Sequence, residues 1–582
     1  MRIRSSRVCK SSAFVYGAVN VSTCVTAVLA AVHTSASWPQ GGRCSVVVRI
    51  QVVVAEEARS AVRDVLRFMM RWPVLMREYV EHALYARGRG YFAQKHVVGG
   101  LRAPLPFHSM VNETDYRDRL LGAWESGEAG SAWLTPSEMF TPYYGTAVAK
   151  SIVERHKNTY PAGTPLQMVE VGGGNGTCAC DILRFLKHEE PEMFSSCKYL
   201  LVEISPALAE VQHARLATEI GDAARFEVVN EDARLWAEGV VRSGQTLSGP
   251  WWINLFEVLD NLGHDLVRVS DLADGESECL EMRVGPNESL VEDAEAAARA
   301  VAEFESAMAE ARGDKPVERA AGAASGGAGA AAGAGPEGAE DPGADNPLRD
   351  IHWLQTHEPM RDPDLVELMT LLDLRSASDL EDVQAAMAET EGAAPGSSAA
   401  FAAQQLFGGM LGLRPDVADA FIPTGSWRLL KALCRAMPQH QFTIADYSWL
   451  PQQPEGAINH PVVQMQMKGR TIDLRGQYLM AAGEADIMFP TNFAHLTAMV
   501  EGASARSRSG GLEGEDAGGE DAGGEDARSS LEAVHMPSAD FMRRWHDGAA
   551  TQTKSGFNPL VDDFTNTAFA LTGKGAHHTH RD

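Results

Sequence analysis

Residues Gln167 to Thr177 read QMVEVGGGNGT. The apolar run Met168–Val171 enters the glycine cluster Gly172-Gly173-Gly174-Asn175-Gly176. From Cys178 to Leu186 the apolar positions then recur at helical spacing. The local reading is strand, tight glycine turn, helix, the unit with which doubly wound α/β folds cradle a nucleoside or phosphate. Glycine serves such a turn because it adopts left-handed backbone conformations at no steric cost. A turn alone would ask for no more, so the weight falls on the spacing. The pattern is Glu170-x-Gly172-x-Gly174-x-Gly176, with an acid two residues before the first glycine. This is not the G-x-G-x-x-G register of dinucleotide enzymes, which disfavours a nicotinamide dehydrogenase.

Working outward, Tyr199–Val202 reads as a second strand ending on Glu203. A carboxylate at that strand end can accept hydrogen bonds from both hydroxyls of a ribose; the competing reading is a surface acid in a turn. Phe226–Asn230 reads as the third strand. Asp232 follows it, where such folds contact an adenine amino group. Trp251–Phe256 is the fourth strand and runs into Glu257-Val258-Leu259-Asp260-Asn261-Leu262-Gly263-His264-Asp265. Catalytic groups of open α/β sheets lie beyond the carboxyl ends of strands, which singles out Glu257 and Asp260; an acid-rich helix start is the plainer alternative. Gln441–Ala445 reads as the fifth strand, with Asp446-Tyr447 at its end. Val462–Met467 and Ile487–Phe489 are read as the late antiparallel strands.

The remainder of the chain frames this core. Its 582 residues allow two to four domains, and a hydrophobic fraction of 45% is that of a globular protein. The net charge of −27 argues against a general nucleic-acid binder. Eight scattered cysteines do not form a disulfide framework. Cys178 and Cys180 lack a second pair for zinc and read as small buried helix residues, and no metal set is expected. Residues 1–55 carry Arg2, Arg4, Arg7, Lys10, Arg43 and Arg49 and no acid. That composition suits an organellar transit peptide, with a secretory signal as runner-up. Phe14–Val32 is too interrupted to span a membrane, and no other segment approaches a transmembrane helix. Residues 57–150 look helical, from the spacing of Val62, Leu66, Phe68, Met69, Val74, Leu75, Tyr79 and Leu84. Ser137 and Glu138 suit a helix cap and a first-turn acid. Residues 312–349, with Gly-Ala repeats, and 503–530, with Gly-Gly-Glu-Asp-Ala repeats, cannot bury a core and are expected to be disordered.

Together these residues resemble the MidA-like S-adenosylmethionine (SAM)-dependent methyltransferases, a family that includes a mitochondrial arginine methyltransferase assisting assembly of respiratory complex I. The resemblance covers roughly residues 100–275 and 418–500, plus a tail with Thr553–Leu560. The family's Ser-Pro-Glu segment and following Phe-Gly correspond to Thr135–Glu138 and Tyr144-Gly145. Its glycine turn corresponds to Glu170–Gly176, and its valine-glutamate before serine to Val202, Glu203 and Ser205. Its Asn-Glu-x-x-Asp-Ala-Leu-Pro corresponds to Phe256–Gly263, with asparagine replaced by Phe256 and proline by Gly263.

The resemblance implies a Rossmann-like class I SAM-dependent methyltransferase of α/β class. The helical N-terminal region spans 56–130, after the leader 1–55. The SAM-binding domain would be split into 131–275 and 418–502, around a helical insertion 276–417 that carries the linker 312–349. The acidic insert 503–530 and a C-terminal segment 531–582 follow. SAM would lie on Glu170, Gly172, Gly174, Gly176, Glu203 and Asp232, with Glu257 and Asp260 as catalytic groups. Protein arginine methylation in the mitochondrion is implied, with a complex I subunit as substrate; the chloroplast is the other organelle that suits the leader. An inactive assembly protein on this fold, or a methyltransferase for a small molecule or another side chain, stays open.

Overall fold

The computed structural model describes residues 14–16, 28–37, 45–54, 74–86, 90–94, 97–101, 103–126, 133–272, 276–285, 354–391, 417–454, 456–467, 470–480, 483, 485–509 and 531–576. Two compact units are present, Met1–Val74 with Val284–Thr356, and Leu75–Arg283 with His357–Asp582. In the first, strands Phe14–Tyr16, Val28–Ser37 and Ser45–Val54 form an antiparallel sheet. The linker 312–349 and the helical spacing at Val62, Leu66, Phe68 and Met69 lie outside the described residues.

The second unit is built on a seven-stranded sheet. Its strands are β1 Gln167–Val171, β2 Lys198–Glu203, β3 Phe226–Asn230, β4 Trp251–Phe256, β5 His440–Tyr447, β6 Ala533–Pro537 and β7 Thr567–Thr572. They lie in the order β3-β2-β1-β4-β5-β7-β6. The first five are mutually parallel, whereas β7 runs antiparallel to both β5 and β6. Strand order reverses at β1, so the crevice beyond the carboxyl ends of β1 and β4 is the topological switch point, where open α/β sheets bind ligands.

Successive residues of a strand face opposite sides of its sheet, and a sheet covered on both sides needs apolar residues at every position. Met168, Tyr199, Leu201, Trp252 and Phe569 enter one core, with Val148 and Ile152 of helix Tyr143–Thr159 and Ile182 and Leu186 of helix Thr177–Glu189. Val169, Val171, Leu200, Val202, Ile253, Leu255, Phe442 and Ile444 enter the other, with helices Thr424–Ala436 and Phe493–Ser509. Gly145 is where the first two helices meet: a Cβ there would stand 2.5 Å from that of Asp181. Fully buried Arg155 donates to the carbonyls of Phe442 (2.9 Å) and Thr572 (3.0 Å) and to Thr443 Oγ1 (2.7 Å), fastening its helix to β5 and β7. Cys178 and Cys180 are buried free thiols, as read.

Several expectations are corrected here. Val462–Met467 pairs with Arg470–Asp473 and Asp486–Met488 in a separate sheet. The late strands are instead β6 and β7, so the segment set apart as C-terminal, 531–582, supplies the two strands that complete the main sheet. Neither β6 nor β7 alternates apolar and polar residues, which hid them. The region 276–417 is not purely helical: Ser277–Gly285 pairs with Asp265–Asp271, which also pairs antiparallel with Val417–Ile422. Val74-Leu75, read as helical, is a short strand that precedes helix Met76–Tyr85. The low-complexity stretch 503–530 opens as helix as far as Ser509; the rest of it, to residue 530, lies outside the described residues. Among the described residues, no helix is long and apolar enough to cross a membrane.

Candidate active site

The glycine turn has the backbone its sequence demanded. Gly172, Gly174 and Gly176 have φ of +66°, +52° and +76°, which L-residues rarely adopt. Gly173 is needed for a different reason, since a Cβ there would stand 2.7 Å from Leu201 Cδ2. Segment Val97–Leu101 lies on the turn: Asn175 Nδ2 donates to the carbonyl of Gly99 at 3.1 Å, and a Cβ on Gly174 would touch Val98. Glu138 is more than a first-turn acid. It is buried, accepts from the Thr177 hydroxyl at 2.5 Å, and lies 3.8 Å from Arg215.

Glu170 is buried beneath the turn and accepts from the Tyr199 hydroxyl at 2.7 Å. Burial pushes its carboxyl up to about 7, and the neighbouring charge of Glu203 adds to this. Glu203 is only 3% exposed, which removes the surface-acid reading. Its Oε1 accepts from the Ser205 amide (2.8 Å) and its Oε2 from Gln212 Nε2 (2.9 Å). Each oxygen keeps capacity for a further hydrogen bond, as two ribose hydroxyls require. Asp232 caps helix Ala233–Arg242 by accepting from the Leu235 amide at 2.9 Å. Left-handed glycines, a turn without side chains and a buried carboxylate with spare acceptor capacity fit the nucleoside end of SAM.

Beyond β4, Glu257 takes φ of +53°, an uncommon conformation for a residue with a side chain, held by the hydrogen bond its backbone N–H donates to the carbonyl of Ala445 at 2.9 Å. A turn, Leu259–Asn261, follows. This loop reaches the glycine turn, because a Cβ on Gly172 would stand 3.3 Å from Val258 Cγ2. The loop is tied to β5 by Asp446, whose Oδ2 accepts from the amides of Leu259 (3.0 Å) and Asp260 (3.3 Å) and whose Oδ1 accepts from Tyr447 N (2.8 Å). Asp486 accepts from Asn261 Nδ2 at 2.7 Å, and Tyr85 donates its hydroxyl to the Asn261 carbonyl at 3.1 Å.

Glu257, Asp260, Asp446 and Asp486 thus share one site. Burial pushes Glu257 up to about 8, with Asp446 adding like charge and a Tyr447 hydrogen bond opposing it. Burial likewise takes Asp446 and Asp486 to about 7 each. Asp260 is raised by burial and then by the charges of Asp446, Asp486 and Glu257, and its Oδ1 is buried without a partner. Among the described residues, no lysine or arginine offsets any of the four. Tyr144, Tyr447 and Tyr85 also face these acids, and burial raises their phenols.

Sequence spacing thus located Glu257 and Asp260 correctly as neighbours. Asp446 reads in the sequence only as the end of the fifth strand. Asp486 carried no signal, since it begins a strand of another sheet, and neither did Gln212 on its helix. The two departures from the family pattern have visible contacts. Phe256 packs edge-on against Tyr144, with centroids 6.2 Å apart. A Cβ at Gly263 would come 2.6 Å from the carbonyl oxygen of Arg77, so this backbone cannot accommodate proline there.

A family model described as "Putative S-adenosyl-L-methionine-dependent methyltransferase" matches residues 147–510. The chain belongs to this family. SAM is therefore the methyltransferase's cofactor, and the switch-point crevice is where the fold would receive it. Among solved structures, the methyltransferase is similar to a Burkholderia thailandensis protein described as a "likely methyl transferase" bound to S-adenosyl-homocysteine. Identity is 13% and the TM-score 0.46, over 89% of this chain and 92% of that one. A native crystal structure of an uncharacterized Burkholderia thailandensis protein gives 12% and 0.42 over the same shares. No curated protein matches the methyltransferase.

Proposed function

We propose that this methyltransferase N-methylates the guanidinium of an arginine in a partner protein, in the mitochondrion, in support of complex I assembly. The observation that carries the reading is the set of four carboxylates beside the glycine turn, Asp260, Asp446 and Asp486 buried and Glu257 half-buried, without a cation of their own among the described residues. A guanidinium is always charged near neutral pH and meets carboxylates in a forked geometry. Asp260 Oδ1, buried without a partner, is the acceptor such a group would satisfy.

When bound, SAM supplies an activated methyl group on a sulfonium. The chain's own work is positioning and field. The glycine turn would let its own backbone approach the cofactor closely and Glu203 would accept from the ribose, with Glu170 beneath the turn. Glu257 and Asp260 hold the guanidinium with one nitrogen aimed at the methyl. The methyl would pass from the cofactor sulfur to that nitrogen, and Glu257 would take the proton the nitrogen loses. A carboxyl raised to about 8 is a stronger base than an ordinary carboxylate once ionised, so transfer gains as pH rises toward that value. Asp446 keeps the loop in place and Tyr447 orients Glu257. The acid-free basic leader 1–55 supports organelle import.

The test is incubation of the purified protein with labelled SAM and mitochondrial extract, followed by mass spectrometry. Methylarginine in a complex I subunit is expected. Methyl groups on lysine or on a metabolite would overturn the acceptor, and tight SAM binding without any transfer would favour an assembly protein. A fluorescent fusion to residues 1–55 is expected in mitochondria; chloroplast import would overturn the location.

A further inference from the structure

Glu203 is held from two sides, and the second holder is Gln212 of helix Pro206–Glu219. Gln212 is fully buried. Its Nε2 stands 2.9 Å from Glu203 Oε2 and 2.9 Å from the carbonyl oxygen of Gly174. Both neighbours are pure acceptors, so the amide nitrogen must face them, and both its N–H groups are used. The backbone is equally close: a Cβ on Gly176 would stand 3.3 Å from Gln212 Cα and 3.4 Å from its Cγ. One side chain therefore joins the glycine turn to the acid at the end of β2.

We propose that Gln212 is a positioning residue of the cofactor site, which fixes the Glu203 carboxylate and the Gly174 carbonyl in one geometry facing the ribose of SAM. The inference rests on the cradle proposed above. Burial raises Glu203 to about 6, while hydrogen bonds from the Ser205 amide, Gln212 and the Ile204 amide hold it down. Gln212 is the one side chain among those holders. The groups facing Glu203 do not replace it. Glu170 on β1 adds like charge, and Tyr199 on β2 donates to Glu170. Arg215 on the same helix is engaged with Asn175, Thr177 and Glu138. Asn230 at the end of β3 donates to the Glu203 carbonyl, and Asp232 beyond it caps its own helix.

The experiment is calorimetric titration of the full chain with SAM between pH 5.5 and 8.5. It compares wild type, Gln212→Met, Gln212→Glu and Glu203→Gln, with circular dichroism to check folding. Wild-type affinity is expected to fall as pH drops through about 6. In Gln212→Met the fall moves up by about one pH unit, the scale of one charge-assisted hydrogen bond, so binding weakens about fivefold at pH 6 and about twofold at pH 7, and recovers at pH 8.5. Gln212→Glu sets a second acid against Glu203 and moves the fall further up. An equal loss at every pH, or no loss, in the Gln212 variants would overturn the positioning role. If Gln212→Met does not fold, Gln212→Glu decides by the same criterion. Unchanged affinity in Glu203→Gln would instead overturn the cradle itself.

Discussion

If the acid cluster is kept for a cationic acceptor, it should cost the empty protein stability. Asp486 isolates the effect, because it is 4% exposed and burial holds it near 7 in the folded chain. An unfolded aspartate titrates near 3.9. The sign follows from proton counting. Between these values the folded state binds the extra proton, so stability falls as pH rises through the window from about 4 to about 7. Integrating a shift of this size between pH 5 and 8.5 gives about 3 kcal/mol as an upper limit, and hydrogen bonds rearranging around a neutral side chain reduce it to about 1–3 kcal/mol. Asp486→Asn removes the charge and keeps an acceptor for Asn261. Urea denaturation at both pH values measures the difference. The variant should gain about 1–3 kcal/mol on wild type in going from pH 5 to pH 8.5. Buried His264 and His440 and half-buried His495, each pushed down to about 4, cost stability on acidification but contribute equally to both proteins. A variant whose difference from wild type is the same at both pH values would refute the reasoning.

Other consequences are open to direct measurement. Glu257→Gln and Asp260→Asn should each lower methyl transfer at least a hundredfold while leaving the Kd for SAM within about threefold, because both act on the acceptor side. With Glu257 up at about 8, kcat/KM should rise with pH and level off above that value; a profile flat from pH 6 to 9 would exclude it as the proton acceptor. Gly174→Val places a β-branched residue at φ of +52°, which costs about 1–3 kcal/mol and should weaken SAM binding by calorimetry. Arg77 is buried between Asp265 and Asp362, so Arg77→Met should destabilise the fold by about 3–5 kcal/mol in denaturant, by leaving Asp265 without its cation.

Phe256 and Gly263 show how a sequence pattern can mislead about its own departures. Read along the chain, both are losses from a motif. In the structure Gly263 lets helix Met76–Tyr85 approach within contact of the loop carrying Asp260, and Phe256 packs on Tyr144, whose phenol faces Glu257. Glu138 shows the converse, since a residue that suits any first helical turn is in fact bonded to the start of the helix after the glycines.

The sequence by itself determined the strand–turn–helix unit at Gln167–Leu186, the parallel strands β1 to β5, and the acids Glu170, Glu203 and Glu257 at strand ends. Those features are local: strand burial dictates apolar runs, and left-handed backbone dictates glycine. Only the tertiary structure decided which late segments close the sheet, because β7 must find β5 across more than a hundred residues and its own pattern does not announce that pairing. It likewise decided that Asp446 and Asp486 join Glu257 and Asp260, and that Gln212 joins the glycine turn to Glu203. The chemistry of those groups is set by burial and by neighbours from distant elements, and neither quantity exists until the chain has folded.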